Sequence, residues 1–61
     1  MRLREIRIEK GLTNKKISEL SGVPIRTIED IIKRGDCKFS TAVKIAKGLN
    51  ITLEELAKPT D

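Results

Sequence analysis

No histidine occurs in this chain of 61 residues, and Cys37 is the one cysteine. That removes the usual ligand set of a structural zinc ion, which is built from Cys and His side chains. It also removes the commonest general base and the usual partner of a nucleophile. Neither acid–base nor triad catalysis has its actors, so the sequence predicts a protein that is not an enzyme. No cofactor and no small-molecule ligand are expected. A single cysteine forms no internal disulfide, which suits a reducing, cytoplasmic setting. Tryptophan and tyrosine are absent, and Phe39 is the one aromatic residue. Modules for single strands or RNA stack bases on aromatic platforms, so those readings lose their support. No apolar run approaches the roughly 20 residues of a membrane span. The charged, periodic sequence from Met1 onward predicts no signal peptide.

What remains is a short, charged chain. Lys and Arg number 13 against 9 Asp and Glu, a net charge of +4 that favours a polyanionic partner. The length allows a single domain over residues 1–61, which buries only about 60% of its unfolded surface. Marginal stability follows unless the chain dimerises. Five helical segments are read, with no strand signal and no linker. The first runs from Arg2 to Lys10 with Leu3 and Ile6 inward, and stops at Gly11. The second runs from Asn14 to Ser21, and the third from Ile25 to Lys33. The fourth starts at Phe39 or Thr41 and reaches Leu49, with Ala42, Ile45, Ala46 and Leu49 on one face and Asn50 as its left-handed cap. The fifth runs from Leu53 to Ala57. Pro59 then stops the helix, which places the ordered core at about 2–57 and a polar tail at 58–61. An apolar residue just before the helix pairs with one in its second turn three times: Leu12 with Ile17, Val23 with Ile28, and Ile51 with Leu56. Thr52 and Glu55 form a capping box.

The stretch from Thr13 to Ile32 carries the most information. Ile17, Leu20 and Val23 make one buried stripe, and Ile28 and Ile31 the facing one. Ser18 is small where two helices must approach. Gly22 can adopt the positive φ that ends a helix and turns the chain. Helix, tight turn, helix is the unit that lays its second helix in the DNA major groove. Lys15 and Lys16 break a local rule, because cations at a helix N-terminus oppose its dipole. They either face phosphate or are solvated lysines with a small penalty.

These pieces in order resemble the lambda-repressor-like family of phage Cro and repressor proteins. The resemblance runs from Leu3 to Leu56. It is carried by Leu3-Arg4-Glu5-Ile6-Arg7, Lys10-Gly11-Leu12-Thr13, Ser21-Gly22-Val23-Pro24, Arg26-Thr27-Ile28, and Lys44 through Leu56. It implies an all-α, compact five-helix DNA-binding domain with the helix-turn-helix at helices 2 and 3, acting as a homodimer on a palindromic duplex. The dimer contact is expected around Leu49 to Leu56. Four departures stand out. Asn14 replaces a longer amide. Pro24 replaces a capping Ser or Thr. Ile32 replaces a glutamate that pairs with the helix-1 arginine, so Arg7 must turn to Glu29 or to phosphate. Gly35 comes one residue late, which implies a longer third helix.

On the outer face of helix 3, Ile25, Arg26 and Asp30 are the expected base-reading residues. Arg26 can grip guanine O6 and N7 with two bonds, or pair with Asp30 at i, i+4 and be oriented by it. Ile25 can touch a thymine methyl or be simply an exposed isoleucine. Asn14, Lys15, Lys33, Arg34 and Lys38 are the expected phosphate contacts. Glu29 and Asp30 repel phosphate; they could accept from cytosine N4 or mark a protein partner. Phe39 is read as a core plug between helices 3 and 4, and Cys37 as an incidental loop thiol. Two functions remain: a sequence-specific duplex-DNA regulator of transcription, or a protein-interaction module, antitoxin-like or adaptor, on the same fold.

Overall fold

The computed structural model describes residues 1–58, so Pro59 and the end of the expected tail lie outside the described residues. Five helices follow in order: α1 (Leu3–Lys10), α2 (Asn14–Ser21), α3 (Ile25–Arg34), α4 (Phe39–Leu49) and α5 (Leu53–Ala57). No strand occurs among the described residues. No helix is long and apolar enough to cross a membrane, and no cluster of metal-binding side chains forms among them. Arg2 caps α1 rather than opening it. The extra residue expected before Gly35 is there, since α3 continues to Arg34.

The helix ends follow local chemistry. Thr13 and Thr52 accept hydrogen bonds from the Lys16 and Glu55 amides, each at 3.0 Å. The Thr52 hydroxyl also donates to the Glu55 carboxylate at 3.3 Å, so Glu55 reaches back to the cap's hydroxyl, and only the threonine half of the expected capping box forms. α4 ends at Asn50 in the left-handed conformation, with φ 57°. At the start of the chain the Arg2 amide bonds the Leu56 carbonyl at 2.8 Å, tying the entrance of α1 to α5.

One core unites the five helices. Leu3 and Ile6 of α1, Ile17 of α2, Ile28 and Ile31 of α3, Ile45, Ala46 and Leu49 of α4, and Leu56 of α5 are buried, with Val23 in the turn. All three paired apolar residues at helix entrances contribute. Ile17, Ile28 and Leu56 are fully buried, while Leu12 and Ile51 are half-buried against them.

Two expectations fail, for the same reason: an apolar side chain does not by its type alone reach the core. Leu20 is 44% exposed. The face α2 buries is Asn14, Ile17, Ser18 and Ser21, at i, i+3, i+4 and i+7. Three of those four are polar, so an apolar stripe does not reveal them. Phe39 is 72% exposed and plugs nothing. It is the first residue of α4, and helical side chains lean back toward the N-terminus. From that position a ring projects past the end of the helix, away from the core. Cys37 takes the inward place at this junction, half-buried against the core with its Sγ 3.7 Å from the Met1 sulfur.

At Gly48 the backbone of α4 lies directly against α2. A Cβ there would lie 2.6 Å from the Leu20 carbonyl oxygen and 2.7 Å from the Ser21 Cα. Both are backbone atoms of α2's last turn, and backbone cannot swing aside. Alanine in mid-helix ordinarily gains about 1 kcal/mol over glycine. Gly48→Ala should instead destabilise the domain by about 1–3 kcal/mol, the usual cost of overpacking. Urea denaturation followed by far-ultraviolet circular dichroism measures it. A gain in stability would show that α2 and α4 do not approach this closely.

Candidate nucleic-acid interface

The turn between α2 and α3 is built by two serines. Gly22 takes φ 74°, and its amide bonds the Ser18 carbonyl at 2.9 Å. The Ser18 hydroxyl donates to the Val23 carbonyl. The Ser21 hydroxyl donates to the Ile17 carbonyl at 2.7 Å and accepts from the Val23 amide at 3.2 Å. Ser18 was expected only to be small. Its hydroxyl also occupies a carbonyl of the turn. Pro24, extended at φ −54°, offers no side-chain cap, and its carbonyl receives the Thr27 and Ile28 amides at 3.0 and 3.1 Å. The fixed φ of proline sets the entry to α3 without a capping hydroxyl.

Burial of Ile28 and Ile31 then decides how α3 presents itself. At about 100° per residue, Arg26 and Lys33 fall almost directly opposite the buried side, with Glu29 and Asp30 flanking that line. All four are exposed, as are Arg34, Lys15 and Lys38. Ile25, 40% exposed, lies at the helix entrance. Arg26 and Asp30 are therefore on the open side of α3, and Ile25 is at its flank. Lys15 stands at the start of α2, Lys33 and Arg34 at the end of α3, and Lys38 at the start of α4.

The ion pairs differ from expectation. Asp30 bonds Arg34 Nε at 3.1 Å, so it does not orient Arg26. The geometric reason is that both i+4 and i−4 partners were open to Asp30, and it takes the C-terminal one. No hydrogen bond or ion pair holds the Arg26 side chain among the described residues. Asp36 accepts the Cys37 amide at 2.8 Å. Two of the three acids near this face are thus engaged within the chain, and Glu29 stands apart. Partial burial, with the Asp36 carboxylate beside it, pushes the Cys37 thiol above its ordinary pKa, against the opposing pull of the N-terminal amine. Such a thiol is a poor nucleophile at neutral pH.

Two polar atoms are left over. Arg7 Nε and Asn14 Oδ1 are buried without hydrogen-bond partners among the described residues. Arg7 therefore pairs with Glu29 no more than with the isoleucine at position 32. Asn14, half-buried at the first turn of α2, turns its oxygen inward. Within the stretch expected to carry a dimer contact, Leu49 and Leu56 are core residues at 5% and 0% exposure, and Asn50, Thr52, Glu54 and Glu55 are exposed.

Comparison with known proteins bears on this arrangement. The helix-turn-helix family model matches residues 3–56, nearly the whole chain. The chain therefore belongs to the helix-turn-helix family, and the lambda-repressor-like resemblance holds. It is also similar to an uncharacterised helix-turn-helix-type transcriptional regulator of Methanocaldococcus jannaschii, 43% identical over 44 residues. That match covers 72% of this chain and 26% of the relative, so the chain spans about a quarter of that protein's length. No solved structure matches significantly.

The unpartnered Arg7 yields a test of its own. Methionine keeps the apolar stem and removes the orphaned donor. Arg7→Met should raise the unfolding free energy by about 1 kcal/mol, the lower end of the cost of an unpaired buried group. A clear loss of stability in urea denaturation would mean that Arg7 has a partner in the folded chain.

Proposed function

We propose that this helix-turn-helix chain binds duplex DNA as a transcriptional regulator, with α3 in the major groove. The observation that carries the reading is the open side of α3. The Arg26 side chain is exposed there with no partner among the described residues, opposite Ile28 and Ile31, and Lys33 follows two turns on along the same line. The similar protein of Methanocaldococcus jannaschii is named a helix-turn-helix-type transcriptional regulator, which supports the reading. The protein-interaction reading draws on Glu29, Asp30 and Asp36, and two of those carboxylates are already engaged.

In this reading Arg26 grips a guanine edge and Ile25 meets a thymine methyl. Asp30 has its second oxygen free for a cytosine amine, while its first holds Arg34. Lys15, Lys33, Arg34 and Lys38 lie on phosphates, and the amide nitrogen of Asn14 donates to one. The lysines in the first turn of α2 then make sense. Their small cost against the helix dipole is tolerated because the same dipole favours an anion at that end. Two copies would occupy half-sites one helical turn apart, roughly 34 Å centre to centre.

Selection of bound sequences from a random duplex pool tests binding and reads out the site together. On the selected duplex, Lys15→Ala or Lys38→Ala should weaken all sequences equally. Each should flatten the slope of log K against log salt by about 0.9. Failure to enrich any duplex at low salt would sink the regulator reading.

Arg26→Ala should behave differently. It should lose about 1–3 kcal/mol at one base pair and relax preference there alone, with folding unchanged. Lysine should not restore the preference, since it lacks the planar fork. Uniform weakening across sequences would make Arg26 a phosphate contact instead.

A further inference from the structure

Asp30 and Arg34 line a groove of about 680 Å³, together with Thr27 of α3 and with Lys38 and Thr41 at the entrance of α4. At about 100° per residue, Asp30 lies about 50°, Arg34 about 90° and Thr27 about 110° round α3 from the line of Arg26 and Lys33, all on one flank. A helix laid in the major groove turns its outer line to the bases and its flanks to the sugar–phosphate strands. The groove therefore lies on a flank that a strand would pass. There Asp30 Oδ1 holds Arg34 Nε at 3.1 Å. Nε is the guanidinium nitrogen nearest the backbone, so the terminal nitrogens, which can match two phosphate oxygens at once, remain for a ligand. We infer that Asp30 is a positioning residue for DNA binding: it aims the Arg34 fork at one backbone phosphate, beside Lys38. The inference rests on the proposed DNA reading and names how an acid on that face favours binding.

Charge counting alone gives Asp30 the opposite sign. A carboxylate near phosphate repels it, so removing Asp30 should tighten binding. The ion pair reverses this for two reasons. A surface arginine is spread over many rotamers, and ordering it at an interface costs entropy that a bond formed beforehand reduces. The side chains of Arg34 and Asp30 are 74% and 52% exposed, so little packing restrains the guanidinium and the bond to Asp30 gives it a direction. Docking then displaces water, and a carboxylate, a guanidinium and a phosphate in that order attract more strongly at lower dielectric. In the free chain an exposed pair adds little to stability, so the effect of this one is confined to the complex. Glu29 provides the contrast. It lies about 50° off the same line on the other flank, and no ion pair engages it among the described residues. Two adjacent acids on α3 thus have opposite consequences for an anionic ligand.

The test uses the full chain on its selected duplex and on the single-base variants of that duplex. Asp30→Ala should weaken binding about three- to tenfold, the effect of one net hydrogen bond, and equally on all of them. Asp30→Asn keeps an accepting oxygen without the charge and should retain most of the affinity. Glu29→Ala, the control for charge, should bind at least as tightly as the wild-type chain. With Arg34→Ala in place, Asp30→Ala should weaken binding no further, a result that a general disturbance of α3 would not give. Circular dichroism and urea denaturation should show the variants folded at wild-type stability, as exposed positions allow. Binding by Asp30→Ala as tight as wild type, a loss confined to one base pair, or the same loss in the Arg34→Ala background overturns the inference. So does an equal loss in Asp30→Asn. If the wild-type chain binds no duplex, the DNA reading falls and the inference with it. If it binds and one of those results appears, the inference falls alone.

Discussion

The close approach of α4 to the last turn of α2 governs the rest of the molecule. Gly48 meets the backbone of Leu20 and Ser21 with no room for a Cβ. Side chains normally hold helix axes 8–10 Å apart, and only a missing one lets backbones come closer. Once α4 lies against that turn, α2 must bury its small polar face of Asn14, Ser18 and Ser21 around Ile17. Leu20 is then turned outward. Burying serines is tolerable because their hydroxyls are satisfied by the Ile17 and Val23 carbonyls. The same two bonds brace the chain where it turns into α3. The path from Gly48 to the orientation of α3 therefore runs through backbone contact and hydrogen bonding more than through apolar fit.

α3 inherits its exposure from this support. Val23 and Ile28 are buried on either side of Pro24, and Ile31 completes the stripe one turn later. The outward residues are left with little to do for stability. The Asp30–Arg34 pair is exposed on both sides, and pairs of that kind contribute only about 0.3–0.5 kcal/mol. Among the described residues the Arg26 side chain makes no hydrogen bond or ion pair. Residues that cost or gain so little in the folded chain are open to be chosen for what they bind. Lys15 and Lys16, in the first turn of α2, even oppose local preference. The departures from local rules thus gather at one side of the molecule, as expected where a site is built on a scaffold.

The opposite pattern holds around the junction of α3 and α4. There the chain half-buries a cysteine and a methionine and leaves its one aromatic ring outside. A domain this small has too little interior to hide every large side chain. The position of Phe39 at the first turn of α4, with no helical turn before it, decides which one is left out. The N-terminal segment closes one wall of the hollow this leaves beside α4 and α5. Its amine donates to the Gly35 carbonyl at 3.1 Å and its Arg2 amide to Leu56.

Much of this protein is written in local sequence. The five helices, their threonine caps, the left-handed stops at Gly22 and Asn50 and the lengthened α3 all depend on residues within a few positions of one another, and all can be read in order. The exposed side of α3 is also legible, because Ile28 and Ile31 by themselves orient a helix. Tertiary structure alone decided the matters that depend on which surfaces meet. Nothing local distinguishes Gly48 from a tolerated helix glycine, or the serine face of α2 from a solvated one, until α4 is laid across it. Asp30 had an arginine four residues away in each direction, and only the folded geometry selects Arg34. Sequence alone points Phe39 and Leu20 inward because apolar residues prefer burial, a preference that holds for residue types on average. Burial of a given side chain is a property of the space beside it, and the approach of other helices makes or withholds that space.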